Sequence, residues 1–380
     1  MIPSGPPMSS SHERTAPSGF LTITNDLKEQ KDQAARTGRK SKKRIIGFVL
    51  LSGGLVSLSF VPWMLVWAWI RPLPDTLDAQ ARQVVAYGFS GVIVHIDQAG
   101  GPPRSFAAGW HDPAKKIPAR TDAYFKIGSI SKLYTAVAVA KLVSDGHLSF
   151  DSTLADLLPD LVGRIEHVER ITLRMLVQHR SGIPNYTDTP DYWAHPKASY
   201  AEKIALIQGA PADFAPGAQY AYCNTNYLLL DRIMAQTLGY RTFRFVQERI
   251  LGPLQLHHTF ASIHDVDIAD LMSGFHQSHA ADLKTDDIGM VATARDVANF
   301  LRALNTGDLL TEKERGIYAS IYEFEHSGWV PGYESFALYH EALDAVVVTF
   351  YSTTDPDLIL WNLAEIINGR FARIVERGDH

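Results

Sequence analysis

The chain has a single cysteine, Cys223, so it can hold neither an intrachain disulfide nor a cysteine-rich metal site. It also lacks a basic excess. Lys and Arg number 36 against 41 Asp and Glu, a formal net charge of −5, which argues against nucleic-acid binding because that requires a basic face. Histidine is not scarce, at 15 residues, yet His257-His258 and His276-x-x-His279 lack the glutamate and the helical setting of a zinc motif. No metal and no cofactor are expected. No internal repeat is evident. What remains is a chain of 380 residues, 46% hydrophobic and 20% charged, long enough for a full core with a second lobe or for two domains.

The N-terminal part reads as three zones. Residues 1–19 are rich in Pro, Ser and Gly without an apolar period, and the whole 1–44 stretch reads as a disordered basic tail, with Arg36, Arg39, Lys40, Lys42, Lys43 and Arg44 at its end. Residues 45–70 then run without a charged side chain, longer than the ~20 residues needed to cross a hydrocarbon core. Trp63, Trp67 and Trp69 cluster at the far end, where an aromatic belt would lie. A signal peptide has a shorter apolar region and a small-residue cleavage site. The expectation is a single-pass transmembrane helix with the N-terminus cytoplasmic and residues 75–380 periplasmic or extracellular in a cell membrane.

After residue 75 the pattern changes. A short helix is expected over 75–87, strands over 91–96 and 104–110 across the Gly100-Gly101-Pro102-Pro103 turn, and a strong helix over 129–145 closed by Gly146. Helices and loops fill 154–306, and strands return over 334–339 and 345–351 before a closing helix over 358–376. Strands at both ends around a helical middle suggest an α+β fold. One antiparallel sheet, flanked by helices, would carry an inserted, mostly helical lobe.

Three short segments carry candidate chemistry. Ser129-Ile130-Ser131-Lys132 is the only Ser-x-x-Lys in the chain. At i and i+3 the hydroxyl and the amine share one helix face, at a helix start whose free N–H groups favour developing negative charge. Tyr222-Cys223-Asn224 offers a phenol whose pKa a nearby ammonium would lower, making it a base for the Ser129 proton, and an amide to contact Lys132 and substrate. His326-Ser327-Gly328-Trp329 reads as a turn before a strand, where Gly328 lets a ligand lie against backbone and the Trp329 N–H joins that of Ser129 as an oxyanion donor. Cys223 reads as a buried small side chain and Arg180 as a surface residue.

In this order the residues resemble the serine β-lactamase and penicillin-binding-protein-like family, specifically the class C β-lactamase and D-alanyl-D-alanine carboxypeptidase group with its serine esterases and D-amino-acid peptidases. Residues 176–186, Leu-Val-Gln-His-Arg-Ser-Gly-Ile-Pro-Asn-Tyr, and 289–296, Gly-Met-Val-Ala-Thr-Ala-Arg-Asp, resemble supporting segments of that group. The resemblance spans roughly residues 84–370 and implies the β-lactamase/transpeptidase-like fold. It implies roles as well: Ser129 as acylated nucleophile, Lys132 as its activator, Tyr222 as general base and then acid. Asn224, His326, Gly328 and Trp329 would contact the substrate. One departure matters. Position 326 is His where the pattern usually has Lys, which removes a fixed cation for a substrate carboxylate. The expected function is a membrane-anchored serine hydrolase acting on a small molecule or peptide (a D-alanyl peptide, an ester or a β-lactam). The alternative is a receptor on the same fold that binds cell-wall peptides without turnover.

Overall fold

The computed structural model describes residue 48 and residues 61–378. The chain divides into the units Met1–Trp63 and Met64–His380. The expected tail over 1–44 lies outside the described residues, and the fold below belongs to the second unit.

Its centre is a six-stranded antiparallel sheet. Three strands come from the N-terminal side, β1 Gly91–Gln98, β2 Arg104–Asp112 and β3 Ile117–Pro118, and three from the C-terminal side, β4 His326–Val330, β5 Tyr333–His340 and β6 Ala345–Tyr351. The order across the sheet is β3-β2-β1-β6-β5-β4. The two halves join where β1 pairs with β6, from Val92 opposite Tyr351 to Gln98 opposite Ala345. Both strands are apolar almost throughout because helices cover both faces of the sheet. Ile93, Val346, Val348 and Phe350 face one core, and Val92, Val94, Ile96 and Val347 face the other.

Among the described residues seven longer helices pack with the sheet: α1 Trp63–Ile70, α2 Leu77–Ala86, α3 Ser131–Ser144, α4 Asn224–Leu238, α5 Ala294–Thr306, α6 Glu312–Ala319 and α7 Ile359–Arg377. Residues of α2 and α7 build the core on one side with Leu77, Val84, Leu363, Ile367 and Phe371. Residues of α3, α4 and α5 build the larger core on the other, where α3 is buried on nearly every side from Leu133 to Leu142. The expected α+β fold, with the chain ends sharing one sheet around a helical lobe, is the one observed.

The transmembrane anchor is not. Among the described residues, no helix is long and apolar enough to cross a membrane. The described part of the 45–70 stretch folds as α1, only eight residues, or ~12 Å of helix against a ~30 Å hydrocarbon core. Except for residue 48, the stretch before 61 lies outside the described residues. The localisation inferred from that anchor, and the membrane as a partner through 45–70, fall with it. Hydropathy registered the apolar run but not what its end packs on: Ala68 is fully buried in the core of α2 and α7, with Met64 and Leu65 against it, and Arg71-Pro72-Leu73-Pro74 then runs over α7. There Arg370, fully buried, donates to the carbonyls of Ala68 at 3.0 Å, Arg71 at 2.7 Å and Pro72 at 2.9 Å, and to Gln80 Oε1 at 3.0 Å.

Two smaller differences bear on the site. Ser129 sits in a 3-10 turn, Gly128–Ile130, that leads into α3 rather than inside the helix. His326–Val330 is itself the edge strand β4, not a turn before one.

Candidate active site

Gly128 makes the close meeting of turn and strand possible. It adopts φ +51, and a Cβ there would stand 3.0 Å from the Trp329 nitrogen. Gly328 answers it from β4, where a Cβ would lie 2.2 Å from the Ile127 carbonyl oxygen and 2.9 Å from the Ser129 nitrogen. Only glycine fits at either position without displacing backbone. Ser335, on β5, ties the two together by donating to the Ile127 carbonyl at 2.8 Å.

The register then aims the Trp329 amide. The β4–β5 hairpin turns at Pro331-Gly332, with Val330 opposite Tyr333 and Trp329 opposite Glu334. Counting from the hydrogen-bonded pair that flanks a two-residue loop, Trp329 falls in the alternate pair, so its N–H points out of the open sheet edge. That edge faces Ser129.

Around the Ser129 hydroxyl the expected residues converge. Lys132 Nζ lies 3.0 Å from Ser129 Oγ, and the Tyr222 hydroxyl donates to the same oxygen at 2.6 Å. Lys132 also donates to Asn224 Oδ1 at 2.9 Å. The Asn224 amide is held by its other end, since Nδ2 donates to Thr187 Oγ1 at 3.0 Å, while Asn185 Oδ1 accepts the Asn224 N–H at 3.0 Å. The amine therefore meets neutral groups and the rings of Tyr222 and Tyr227, at 5.0 and 5.4 Å from their centroids. Burial without a facing carboxylate lowers its pKa to about 7. Close to neutrality a large share of Lys132 is free amine.

Tyr222 departs from expectation. Burial of the phenol raises its pKa, outweighing the Ser129 hydrogen bond. The sequence argument assumed a fixed ammonium beside it, and Lys132 is not one. The group is a phenol at neutral pH, a proton donor in its resting state. His326 is neutral too. Desolvation, followed by the influence of Lys132, holds its pKa at about 4, against a raising contact with the Ser327 carbonyl.

Three further features went unassigned in the sequence. His179 stacks between Tyr222 and Tyr227, at 4.6 and 5.0 Å, and its Nδ1 accepts the Cys223 N–H at 3.1 Å. It lies in the quoted 176–186 segment, so the segment was visible but its part was not. Glu323 carries no motif around it, yet it borders the cleft and stands 3.8 Å from His326 Nε2. Trp193, in the lobe, meets the ring of Trp329 edge-on at 5.5 Å. Cys223 is buried as expected, with Sγ donating to the Ile183 carbonyl, and Arg180 is exposed.

These groups open onto a cavity of about 590 Å³ lined by Ser129, Lys132, Tyr222, Asn224, His326 and Trp329 among others. Its volume suits a small molecule or a short peptide segment. A hydroxyl held between an amine and a phenol, beside two converging N–H groups, is an arrangement for acyl transfer.

A model of the Beta-lactamase family matches residues 76–320, more than half of the chain. The chain belongs to the Beta-lactamase family. The match stops short of β4, so the third motif lies beyond it. Among curated relatives, penicillin-binding protein 4 of Amycolatopsis lactamdurans is 30% identical over 172 residues, covering 45% of this chain and 43% of the relative. A D-aminopeptidase of Cereibacter sphaeroides is 26% identical over 275 residues, covering 68% of this chain and 51% of the relative. This family member thus spans about half the length, or less, of those two relatives. The fold is that of the D-amino acid amidase from Ochrobactrum anthropi SV3, with TM-score 0.69, 21% identity, and coverage of 80% of this chain and 98% of that one.

Proposed function

We propose that this β-lactamase-family chain is a serine hydrolase that forms an acyl-enzyme on Ser129, acting on amides or esters of small acyl donors, D-amino acid derivatives first among them. The observation that carries the reading is the Ser129 hydroxyl held 3.0 Å from an amine whose pKa lies at about 7 and 2.6 Å from a phenol. The substrate class draws on the relatives, among which a D-aminopeptidase and a D-amino acid amidase both act, by name, on D-amino acid compounds.

In this proposal Lys132, as free amine, takes the Ser129 proton as the oxygen attacks the carbonyl carbon. The N–H groups of Ser129 and Trp329 receive the developing oxyanion. Tyr222 gives its proton to the departing nitrogen or oxygen, and the proton held on Lys132 restores the phenol. Water then cleaves the acyl-enzyme. Asn224 keeps the amine aligned with Ser129, and residues 75–380 form the catalytic domain.

The check is a panel of D-phenylalanine amide, D-alanyl p-nitrophenyl ester, a D-alanyl-D-alanine peptide and a cephalosporin, with the full chain and with Ser129→Ala. Turnover of at least one substrate is expected, falling by about 10³-fold or more in the variant. Undiminished turnover in Ser129→Ala overturns the assignment.

A further inference from the structure

Next to the proposed proton donor the cleft carries an acid. Glu323 borders the cavity together with Tyr222 and His326, and it also borders the adjoining groove with Tyr220 and Tyr322. Its Oε1 lies 3.8 Å from His326 Nε2, and its side chain is 60% exposed; partial burial and then the neighbouring Glu325 raise its pKa above the ordinary glutamate value. His326 stacks on Tyr322 and is held neutral by burial, so it cannot cancel the carboxylate's charge. Among the described residues, His326 is the one basic side chain within ion-pair distance of Glu323. Arg180 borders the same groove but forms no ion pair with it among the described residues. Glu325 follows two positions later, and its carboxyl accepts the Tyr339 N–H. The amines of the cleft are Lys132 beside Ser129, whose charge is common to any leaving group, and Lys197 and Lys203, the latter 5.9 Å from the Tyr186 ring.

In the proposed function Tyr222 protonates the leaving group, so the leaving group must occupy the side of the cleft that Tyr222, His326 and Glu323 share. We infer that Glu323 is a specificity-determining residue that disfavours leaving groups bearing a carboxylate and admits neutral or cationic ones. The inference rests on that reading of Tyr222 and sharpens the substrate class. It favours amides and esters whose leaving group has no free acid, over penicillins and over peptides ending in a free carboxylate. A leaving carboxylate on this side would meet the Glu323 carboxylate beside a neutral imidazole, where a lysine at 326 would set a fixed cation next to that acid.

The experiment uses the full chain and two matched esters of D-alanine, with 4-hydroxybenzamide and with 4-hydroxybenzoate as leaving groups. They differ by one carboxylate. The wild-type kcat/KM ratio, amide-bearing over acid-bearing, is expected to exceed about ten and to fall about tenfold in Glu323→Gln, the size of one like-charge contact at about 4 Å in a largely hydrated setting. Glu323→Lys is expected to lower it further. The neutral ester should react within about twofold of wild type in both variants, and added salt should shrink the wild-type ratio, which a purely structural role of Glu323 would not produce. A ratio that is the same in all three proteins overturns the inference and leaves the serine hydrolase standing. Absence of Ser129-dependent turnover of either ester overturns both.

Discussion

Lys132 is buried with a hydroxyl, an amide oxygen and two aromatic rings for company, and that surrounding sets the chemistry of the site. An ordinary lysine would be protonated over the whole working range. With a pKa at about 7 the base exists as amine above that pH and is lost below it. Because the group is basic and its pKa is lowered, activity should rise with pH. The kcat/KM is expected to climb about tenfold per unit below pH 7 and to level off above it, with no fall near 8 because Tyr222 keeps its proton. A profile recorded on a neutral ester checks this. Lys132→Arg should lose about 10²–10⁴ in rate and the limb near pH 7 with it, since guanidinium does not deprotonate. A limb that survives unchanged in that variant assigns the titration to another group.

At the scale of elements, the candidate site residues are held by segments that no single motif contains. The turn over 179–186 is stitched to the stretch carrying Tyr222 and Asn224. The Ala221 N–H donates to the His179 carbonyl at 2.9 Å, Thr225 Oγ1 to the Pro184 carbonyl at 2.7 Å, and the Tyr186 N–H to Thr225 Oγ1 at 3.0 Å. Lys126 performs a similar service for the opposite wall. Buried just before the Ser129 turn, it donates to the carbonyls of Leu283 and Asp286, both at 2.6 Å, fixing the loop that brings Asp287, Ile288 and Gly289 to the cavity. Lys126→Met strands two carbonyls and is expected to cost about 2 kcal/mol of stability, and to raise KM several-fold with kcat little changed. Thermal unfolding and steady-state kinetics on one ester check it; lost stability with KM unmoved would mean the loop does not shape the cleft. Ser129, Lys132, Tyr222 and Asn224 could be picked out in the sequence as candidates, because local order and spacing carry them, and the main strands were legible through their apolar runs. The sequence could not reveal Lys126, Thr187 or Glu323, whose partners lie far away in sequence. Nor could it give the direction of the Tyr222 shift, which depends on burial that only the folded chain creates. The 45–70 run misled for a related reason: hydropathy counts apolar residues and does not see that Met64, Leu65 and Ala68 at its end pack on the core of α2 and α7.

For the molecule as a whole, the two ends of the fold depend on each other. Residues 64–74 are fastened to α7 by Arg370, on the face of the sheet that packs α2 and α7. Arg370→Met should leave three carbonyls and Gln80 without their donor, cost about 3 kcal/mol and lower Tm by roughly 5 °C. Ester hydrolysis at 25 °C should stay within about twofold of wild type. Limited proteolysis should cut first within 64–74; cleavage first in the lobe would show that this strap is not the weak point. The pairing of β1 with β6 has a consequence in time. Residues 91–98 leave the ribosome some 250 positions before the strand they must join, about 13–50 s earlier at usual rates of synthesis. For that interval an apolar strand has no neighbour on that side, and the Ser129 turn has no Trp329 amide to meet. The nascent chain then carries every residue of the first two motifs and still lacks the Trp329 amide that meets the Ser129 turn. In the proposed mechanism, the oxyanion pair is complete only once the last stretch of polypeptide has folded.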